Sequence, residues 1–116
     1  MSEFPSHFDK RRERGNELIL DGAPLSVKRF FALDQDVYQD GALPKRTKEL
    51  LGLVASAVLR CDDCIAYHVR EATRAGVERE EMVEALAVAL VVGGSITIPH
   101  MRRALEFYET LQADES

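Results

Sequence analysis

Two segments of this 116-residue sequence, residues 50–59 and 82–92, are apolar at almost every position. Neither shows the strict alternation of polar and apolar residues that is typical of a half-buried strand. A helix that is apolar around most of its circumference has to be buried on more than one side. The two segments therefore predict an all-α fold with both of these helices in its core.

Turn residues and periodic apolar positions predict about six helices in one domain that takes up residues 1–116. We expect the fourth to be either a separate helix or the third helix continuing after a break at the cysteines. The predicted helices are residues 5–20, a second from Pro24–Ser26 to Gly41, a third from Pro44, a fourth over residues 60–75 ended by Gly76, a fifth with Glu80 and Glu81 in its first turn, and a last one from near Pro99.

Two helices that are apolar all round present more apolar surface than four weaker neighbours can cover in a domain of this size. Such a surplus usually lies in contacts between subunits. The sequence therefore predicts a homo-oligomer.

The charge and the apolar runs of the chain argue against a nucleic-acid partner and a membrane partner. With 15 basic and 20 acidic residues the net charge is −5, and the basic run Lys10–Arg12 is interpreted as a solvated helix face, so no nucleic-acid partner is expected. The longest apolar run, residues 85–92, is far shorter than the roughly 20 residues that span a bilayer. The first residues lack the pattern of a secretory signal. We expect a cytoplasmic protein without a membrane partner.

Both cysteines lie in one short stretch, as Cys61 and Cys64. In a compartment that keeps thiols reduced, a close cysteine pair is more often catalytic or metal-binding than structural. At positions i and i+3 in the first turn of a helix, the two side chains share a face and can form a disulfide. The amide hydrogens and the positive end of the dipole there favour a thiolate. The pair is thus suited to redox chemistry, with one cysteine attacking and the other resolving.

Two further residues could activate this pair. His68 lies four residues after Cys64, on the same side of the helix, where the two side chains could share a proton directly or through a water molecule. Glu49 comes from the preceding helix and could orient His68, or act as the base itself if burial raises its pKa toward neutrality. Together these residues would form an activated nucleophile.

Other interpretations remain open at this point. The cysteines could be inert core residues, His68 a core or surface histidine, and Glu49 a solvated charge. A zinc site could use Cys61, Cys64 and His68 with Glu49 or His100, although structural zinc sites usually bring a second close ligand pair from elsewhere. His100 could face solvent at a helix start or line the pocket. No cofactor is predicted.

Read as a pattern, Glu49-x11-Cys61-x2-Cys64-x3-His68 resembles the signature of the alkylhydroperoxidase D (AhpD)-like proteins in the carboxymuconolactone decarboxylase superfamily. The Gly93-Gly94 turn before the last helix adds to the likeness, which covers residues 25–112. The resemblance implies an all-α fold and a homotrimer or homohexamer, with the active site at or near subunit contacts.

The resemblance also implies roles. Cys64 would be the attacking, peroxidatic cysteine and Cys61 the resolving one, with Glu49 and His68 as the proton relay. The substrate would be a hydroperoxide or a disulfide, and the pair would be restored by a dithiol reductant, in the best-known members a lipoyl-bearing protein. The alternatives are a cofactor-free lyase like the decarboxylase branch, which generally lacks the cysteine pair, and a non-catalytic redox-sensing or zinc-binding protein.

The residues between the cysteines depart from the pattern of the well-known enzymes. Those enzymes carry a histidine beside the second cysteine, whereas this chain has Asp62 and Asp63. Two carboxylates there oppose a neighbouring thiolate, which Arg60 offsets only in part.

Overall fold

The protein is described by a computed structural model over residues 4–115. Within that range all regular secondary structure is helical, with six α-helices and one short 3₁₀ helix, which confirms the predicted all-α fold and the number of helices. The elements are α1 (Phe4–Leu20), α2 (Leu25–Val37), α3 (Lys45–Val58), α4 (Asp62–Arg74), α5 (Arg79–Gly93), the 3₁₀ helix (Ser95–Thr97) and α6 (Ile98–Glu115).

The helix α2 ends earlier than predicted. We expected it to continue to Gly41, but its last residue is Val37. The ammonium group of Lys48, on α3, donates hydrogen bonds to the backbone carbonyls of Val37 and Gln39, at 2.8 and 2.7 Å. These carbonyls therefore find their partner across the turn rather than in a further helical turn.

The core lies where α3 packs against α4 and α5, and where α4 packs against α6. Its largest fully buried apolar side chains come from the helices that the sequence predicted to be central and from α4. They are Leu53, Ile65, Val69, Met82 and Leu86.

The chain turns sharply between α3 and α4, which are two separate helices. Arg60 in this turn has a positive φ of 61°, a conformation that non-glycine residues adopt only when their surroundings hold them there. Cys61 follows in an extended conformation as the N-cap of α4. The turn thereby fixes the cysteine pair at the start of a helix.

The first helix lies against α6 and also contacts α4. The ring of Phe8 meets the ring of Phe107 edge to face, with 5.6 Å between centroids. Asp9 forms an ion pair with Arg70 of α4. These contacts hold the polar helix α1 over one end of the domain.

The helix α2 has no buried residue. Four of its large apolar side chains, Leu25, Phe30, Leu33 and Val37, are exposed. Within residues 4–115, no helix is both long enough and apolar enough to cross a bilayer.

Candidate active site

The two cysteines form a disulfide across the first turn of α4, with 5.3 Å between their Cα atoms. As N-cap residue, Cys61 accepts a hydrogen bond at its sulfur from the backbone N–H of Cys64, at 3.3 Å. Cys61 is half-buried, whereas Cys64 is exposed. Of the two cysteines, Cys64 is therefore the more accessible to a substrate.

Glu49 lies in the interior, with 0% of its surface exposed. One carboxylate oxygen accepts a hydrogen bond from the ammonium group of Lys45 at 2.8 Å, and the other lies 2.9 Å from Nδ1 of His68. Burial raises the pKa of Glu49, but the hydrogen bonds and charges of His68 and Lys45 together outweigh it, so the pKa lies below its ordinary value.

The lowered pKa corrects one expectation from the sequence. Glu49 was considered as a base whose pKa burial would bring toward neutrality, and its pKa is shifted the other way. The carboxylate is therefore ionised at neutral pH. Its geometry suits the other predicted task, which is to orient His68.

The ionised carboxylate determines how His68 carries its proton. Nδ1 faces an acceptor-only group, so this nitrogen donates, and in the neutral ring Nε2 is left as the proton acceptor. The ring lies between Tyr38 and Tyr67, with centroid distances of 5.3 and 5.1 Å. Burial, with the nearby carboxylates of Glu49 and other acidic residues, raises the pKa of both phenols, so they stay protonated around the imidazole.

The absence of a side chain at Gly52 makes room for this imidazole. A Cβ atom at Gly52 would lie 2.5 Å from Cε1 of His68 and 2.7 Å from its Nε2. Contacts this short do not occur in folded proteins, so a larger residue here would displace the ring. The predicted relay residues Glu49 and His68 are thus brought together in a space shaped by α3.

Cys64 and His68 line the same cavity, which has a volume of about 420 Å³. Much of the opposite wall belongs to α1 and includes Arg11 and Arg12. The guanidinium of Arg12 lies over the Tyr67 ring, 4.3 Å from its centroid. Lys10, Arg11 and Arg12 are all exposed, as predicted for a solvated helix face, and Arg11 and Arg12 also border the cavity.

Asp62 is held by two basic side chains of α6. Its carboxylate lies 2.7 Å from Nδ1 of His100 and accepts a hydrogen bond from Arg103 at 2.9 Å. The side chain of His100 is only 14% exposed, and it does not belong to the lining of the cavity that Cys64 borders. Of the sequence-predicted site residues, His100 is thus the one that lies apart, on the far side of Asp62.

A zinc site finds no support in this geometry. Over the described part of the chain, no group of three or more histidine, cysteine and acidic side chains converges as metal ligands would. The two sulfurs are bonded to each other, and His68 is engaged by Glu49.

Sequence reasoning missed several residues of the site. Lys45 lies four residues before Glu49 on the same helix face, so an i to i+4 ion pair could have been predicted from spacing. Tyr67 is adjacent to His68 in sequence. For Tyr38, Gly52 and Arg12 no local signal exists, because only the packing of other helices brings them to His68 and Tyr67.

Comparison with known proteins assigns the fold to a family. The sequence profile described as "Carboxymuconolactone decarboxylase family" matches residues 24–107, which is most of the chain. The protein belongs to the carboxymuconolactone decarboxylase family. The helix α1 lies ahead of the matched region.

Among solved structures of family members, TM1620 from Thermotoga maritima superposes with a TM-score of 0.91 at 54% identity, over 94% of this chain and 96% of that one. TM1620 has also been described as a carboxymuconolactone decarboxylase family protein for which a part in the antioxidative response has been suggested. The family member lpg0406 from Legionella pneumophila, in its apo form, gives a TM-score of 0.84 at 30% identity, over 92% and 96% of the two chains.

Curated relatives extend the likeness to AhpD. An uncharacterised protein of Cupriavidus necator is 31% identical over 90 residues, which cover 78% of this chain and 80% of the relative. The alkyl hydroperoxide reductase AhpD of Mycobacterium tuberculosis is 32% identical over 62 residues, which cover 53% of this chain and 35% of AhpD. This confirms that the chain resembles AhpD-like proteins of the superfamily.

Proposed function

We propose that this carboxymuconolactone decarboxylase family protein is a thiol-dependent hydroperoxide or disulfide reductase. The observation that supports it best is the placement of exposed Cys64 in one cavity with His68, while Cys61 lies within disulfide distance. A nucleophile, a base oriented by a buried carboxylate and a resolving thiol are the three parts that such a reaction needs.

In the reduced protein His68 would take the proton of the Cys64 thiol at Nε2. The resulting imidazolium is stabilised by ionised Glu49, 2.9 Å from Nδ1. Lys45 keeps that carboxylate ionised from its other oxygen. The cost of forming the thiolate is thereby lowered by charges that are already in place before substrate binds.

The thiolate of Cys64 would attack the distal oxygen of a hydroperoxide and break the O–O bond. The alcohol leaves with the proton held by His68, and Cys64 becomes a sulfenic acid. Cys61 then attacks the Cys64 sulfur, water leaves, and the disulfide seen here forms. Two electrons have passed from the dithiol to the peroxide, and an external dithiol has to return two electrons and two protons.

The charge around Asp62 bears on the attack by Cys64. His100 and Arg103 lie at hydrogen-bond distance from the Asp62 carboxylate, so its negative charge is partly balanced. The electrostatic repulsion between the Asp62 carboxylate and a Cys64 thiolate is therefore weaker. Asp63 lines the cavity beside Cys64, and its carboxylate still repels a thiolate there.

The relatives are consistent with this chemistry. The name of AhpD states an alkyl hydroperoxide reductase, and TM1620 has been connected with the antioxidative response. The proposal also includes the dithiol reductant of the lipoyl-bearing kind and the homotrimeric or homohexameric assembly that the motif resemblance implies, and the cytoplasmic setting expected from the sequence.

The test is hydroperoxide consumption by the fully reduced protein, with free thiols counted before and after. We expect two thiols to be lost per peroxide in the wild type and none in Cys64→Ser. In Cys61→Ser we expect one thiol to be lost and a sulfenic acid to be trapped at Cys64 by a dimedone reagent. Persistence of thiols in the wild type would contradict the proposal, and lactone turnover that survives loss of both cysteines would favour the decarboxylase branch.

A further inference from the structure

One wall of the cavity at Cys64 lies outside the region that matches the family profile. The helix α1 ends at Leu20, and the region that matches the family profile begins at residue 24. Yet α1 contributes several side chains to the cavity lining, namely Phe8, Arg11, Arg12, Asn16 and Ile19. The chemistry of what fits beside Cys64 is therefore set in part by a helix that lies ahead of the profile-matched region.

Three contacts hold α1 in this position. Phe8 packs on Phe107 of α6, and Asp9 forms an ion pair with Arg70, whose own side chain is 10% exposed. Further along, Arg12 stacks on Tyr67, whose ring meets the edge of the His68 ring. The middle of α1 is thus connected to the proposed relay through a single aromatic ring.

The α1 wall is cationic. Within the described residues, neither Arg11 nor Arg12 forms an ion pair with a carboxylate, whereas the ion pairs of Arg46, Arg70, Arg74, Arg79 and Arg103 are all present. Asp34 and Asp63 contribute the carboxylates of the remaining lining. The cavity is therefore polarised, with positive charge on α1, negative charge elsewhere and the Cys64 sulfur at the same cavity.

An arginine stacked on an aromatic ring keeps its N–H groups available in the plane of the guanidinium. Such a group is suited to a carboxylate, which it can bind through two parallel hydrogen bonds. Phe8 and Ile19 offer apolar surface on the same wall.

We propose that α1 selects the substrate, and that the cavity takes an organic hydroperoxide or disulfide bearing a carboxylate. Arg12, with Arg11 beside it, binds the carboxylate, and the apolar part of the molecule lies against Phe8 and Ile19. Asp34 and Asp63 disfavour the opposite orientation. The inference rests on the proposed function only in requiring a reactive Cys64 thiol.

Two disulfide probes test it without a peroxide. Ellman's reagent carries two carboxylates, and 4,4′-dithiodipyridine is neutral. Cys64 thiolate attacks either probe and releases one aryl thiolate; Cys61 then attacks the mixed disulfide and releases the second. The rate constants are measured on the reduced protein by stopped flow.

We expect Arg12→Gln to slow the reaction with Ellman's reagent about tenfold, the lower end of the range for electrostatic attraction in a cleft. The reaction with the neutral probe should stay within about twofold, and Arg12→Lys should restore part of the loss. Arg11→Gln should act in the same direction. Arg14→Gln is the matched control, because it removes the same charge from α1 at an exposed position outside the cavity lining.

The outcomes separate the two proposals. If the arginine variants react with both probes at the wild-type rates, or are slowed by the same factor with both, the proposed role of α1 is overturned. Cys64 remains a reactive thiol in either case. If neither probe reacts at Cys64, as judged against Cys64→Ser, the proposed function fails and the inference fails with it. Circular dichroism shows whether a variant remains folded, and Arg11→Gln keeps the test open if Arg12→Gln does not.

Discussion

The imidazole of His68 lies directly against the backbone of α3 at Gly52, where a Cβ atom would come within 2.5 Å of the ring. Glycine inside a helix normally costs stability, about 1 kcal/mol relative to alanine. Here it gives the ring the space from which Nδ1 reaches Glu49. The residue has no chemistry of its own and acts by positioning His68.

Gly52→Ala should therefore lower activity rather than only affect stability. The added methyl group displaces His68 from Glu49, and we expect peroxide consumption to slow by about tenfold or more, the low end of what a proton-transfer group contributes. In a His68→Ala background the same substitution should cost nothing. Rates in the four proteins of this double-mutant cycle are the measurement.

Gly15→Ala in α1 is a control for stability, because a Cβ atom there meets nothing within 4 Å. Its melting temperature should rise, as expected for alanine in a helix. A Gly52→Ala effect of the same size in both backgrounds would contradict the positioning role.

Glu49 is kept ionised by two partners, and this predicts a pH dependence. Its pKa is lowered in the folded protein, so the stabilisation by the Lys45–Glu49–His68 cluster is present at neutral pH and is lost as pH falls through the lowered pKa. Lys45 is only one-third exposed at its side chain and lies 2.8 Å from the carboxylate. Its charge therefore also sets the pH at which the relay fails.

Lys45→Met should move the acid limb of the pH–rate profile to higher pH. Without the ammonium group, protonation of Glu49 becomes easier, while the rate on the alkaline side of the limb should change little. The profile of initial rates against pH measures the shift. Lys10→Met, which removes a charge from exposed α1, should leave the limb in place. An unmoved limb in Lys45→Met would contradict the assignment.

At the scale of elements, the start of α4 is fixed by contacts with two neighbours. The turn through Arg60 places Cys61 as the N-cap, and Asp62 attaches the first turn to α6 through His100 and Arg103. The same carboxylate stabilises the positive end of the helix dipole. Substitutions at His100 or Arg103 of α6 should therefore change how strongly the Asp62 carboxylate acts on the cysteine pair.

Two substitutions should change the reactivity of Cys64 in opposite directions. Arg103→Gln leaves the Asp62 carboxylate less balanced and should slow thiol alkylation, whereas Asp62→Asn should accelerate it. Each effect should be at most about fivefold, because exposed charge pairs contribute about 0.2–1 kcal/mol. Iodoacetamide rates on reduced Cys61→Ser protein measure this. Arg102→Gln is the control, and rate changes of the same sign in both variants would argue against the idea.

Over the whole molecule, many large apolar side chains are exposed in the single chain. Phe30 on α2 is 66% exposed, and α2 has no buried residue in the single chain. The two helices predicted to be apolar all round also keep exposed side chains. These are Leu51 and Leu59 near α3, and Val88, Val91 and Val92 on α5. The homo-oligomer remains a prediction that this surface favours.

Phe30→Asp with Leu33→Asp should dissociate such an oligomer. A charge at these positions is tolerated in water and disfavoured in an apolar interface, so we expect the molar mass in solution to fall to that of the 13.0 kDa chain. Light scattering after size exclusion measures it. Lys28→Glu is the control on the same helix. A wild-type protein that is already monomeric would contradict the prediction.

The helices and the part of the site that lies along one helix could be predicted from the sequence. Helix starts, ends and apolar faces depend on interactions a few residues apart, so five of the six helices were placed to within a few residues and only the end of α2 was misplaced. Cys61, Cys64 and His68 belong to the N-cap and the first turns of one helix. Their arrangement on one side of that helix could therefore be predicted from spacing. Glu49 was considered from its place on the preceding helix, and only the family pattern linked it firmly to Cys61, because eleven residues and a turn separate the two.

Properties that depend on several helices at once could not be predicted from the sequence. The pKa of Glu49 is lowered only because Lys45 and His68 approach it together, whereas burial alone would have raised it. The space beside Gly52 matters only because α4 places His68 against α3. Arg12 borders the cavity only because α1 packs with this side chain over the Tyr67 ring. The charge around a group, the space beside it and the walls of a cavity all depend on residues that are distant in sequence. No local sequence pattern can therefore predict them.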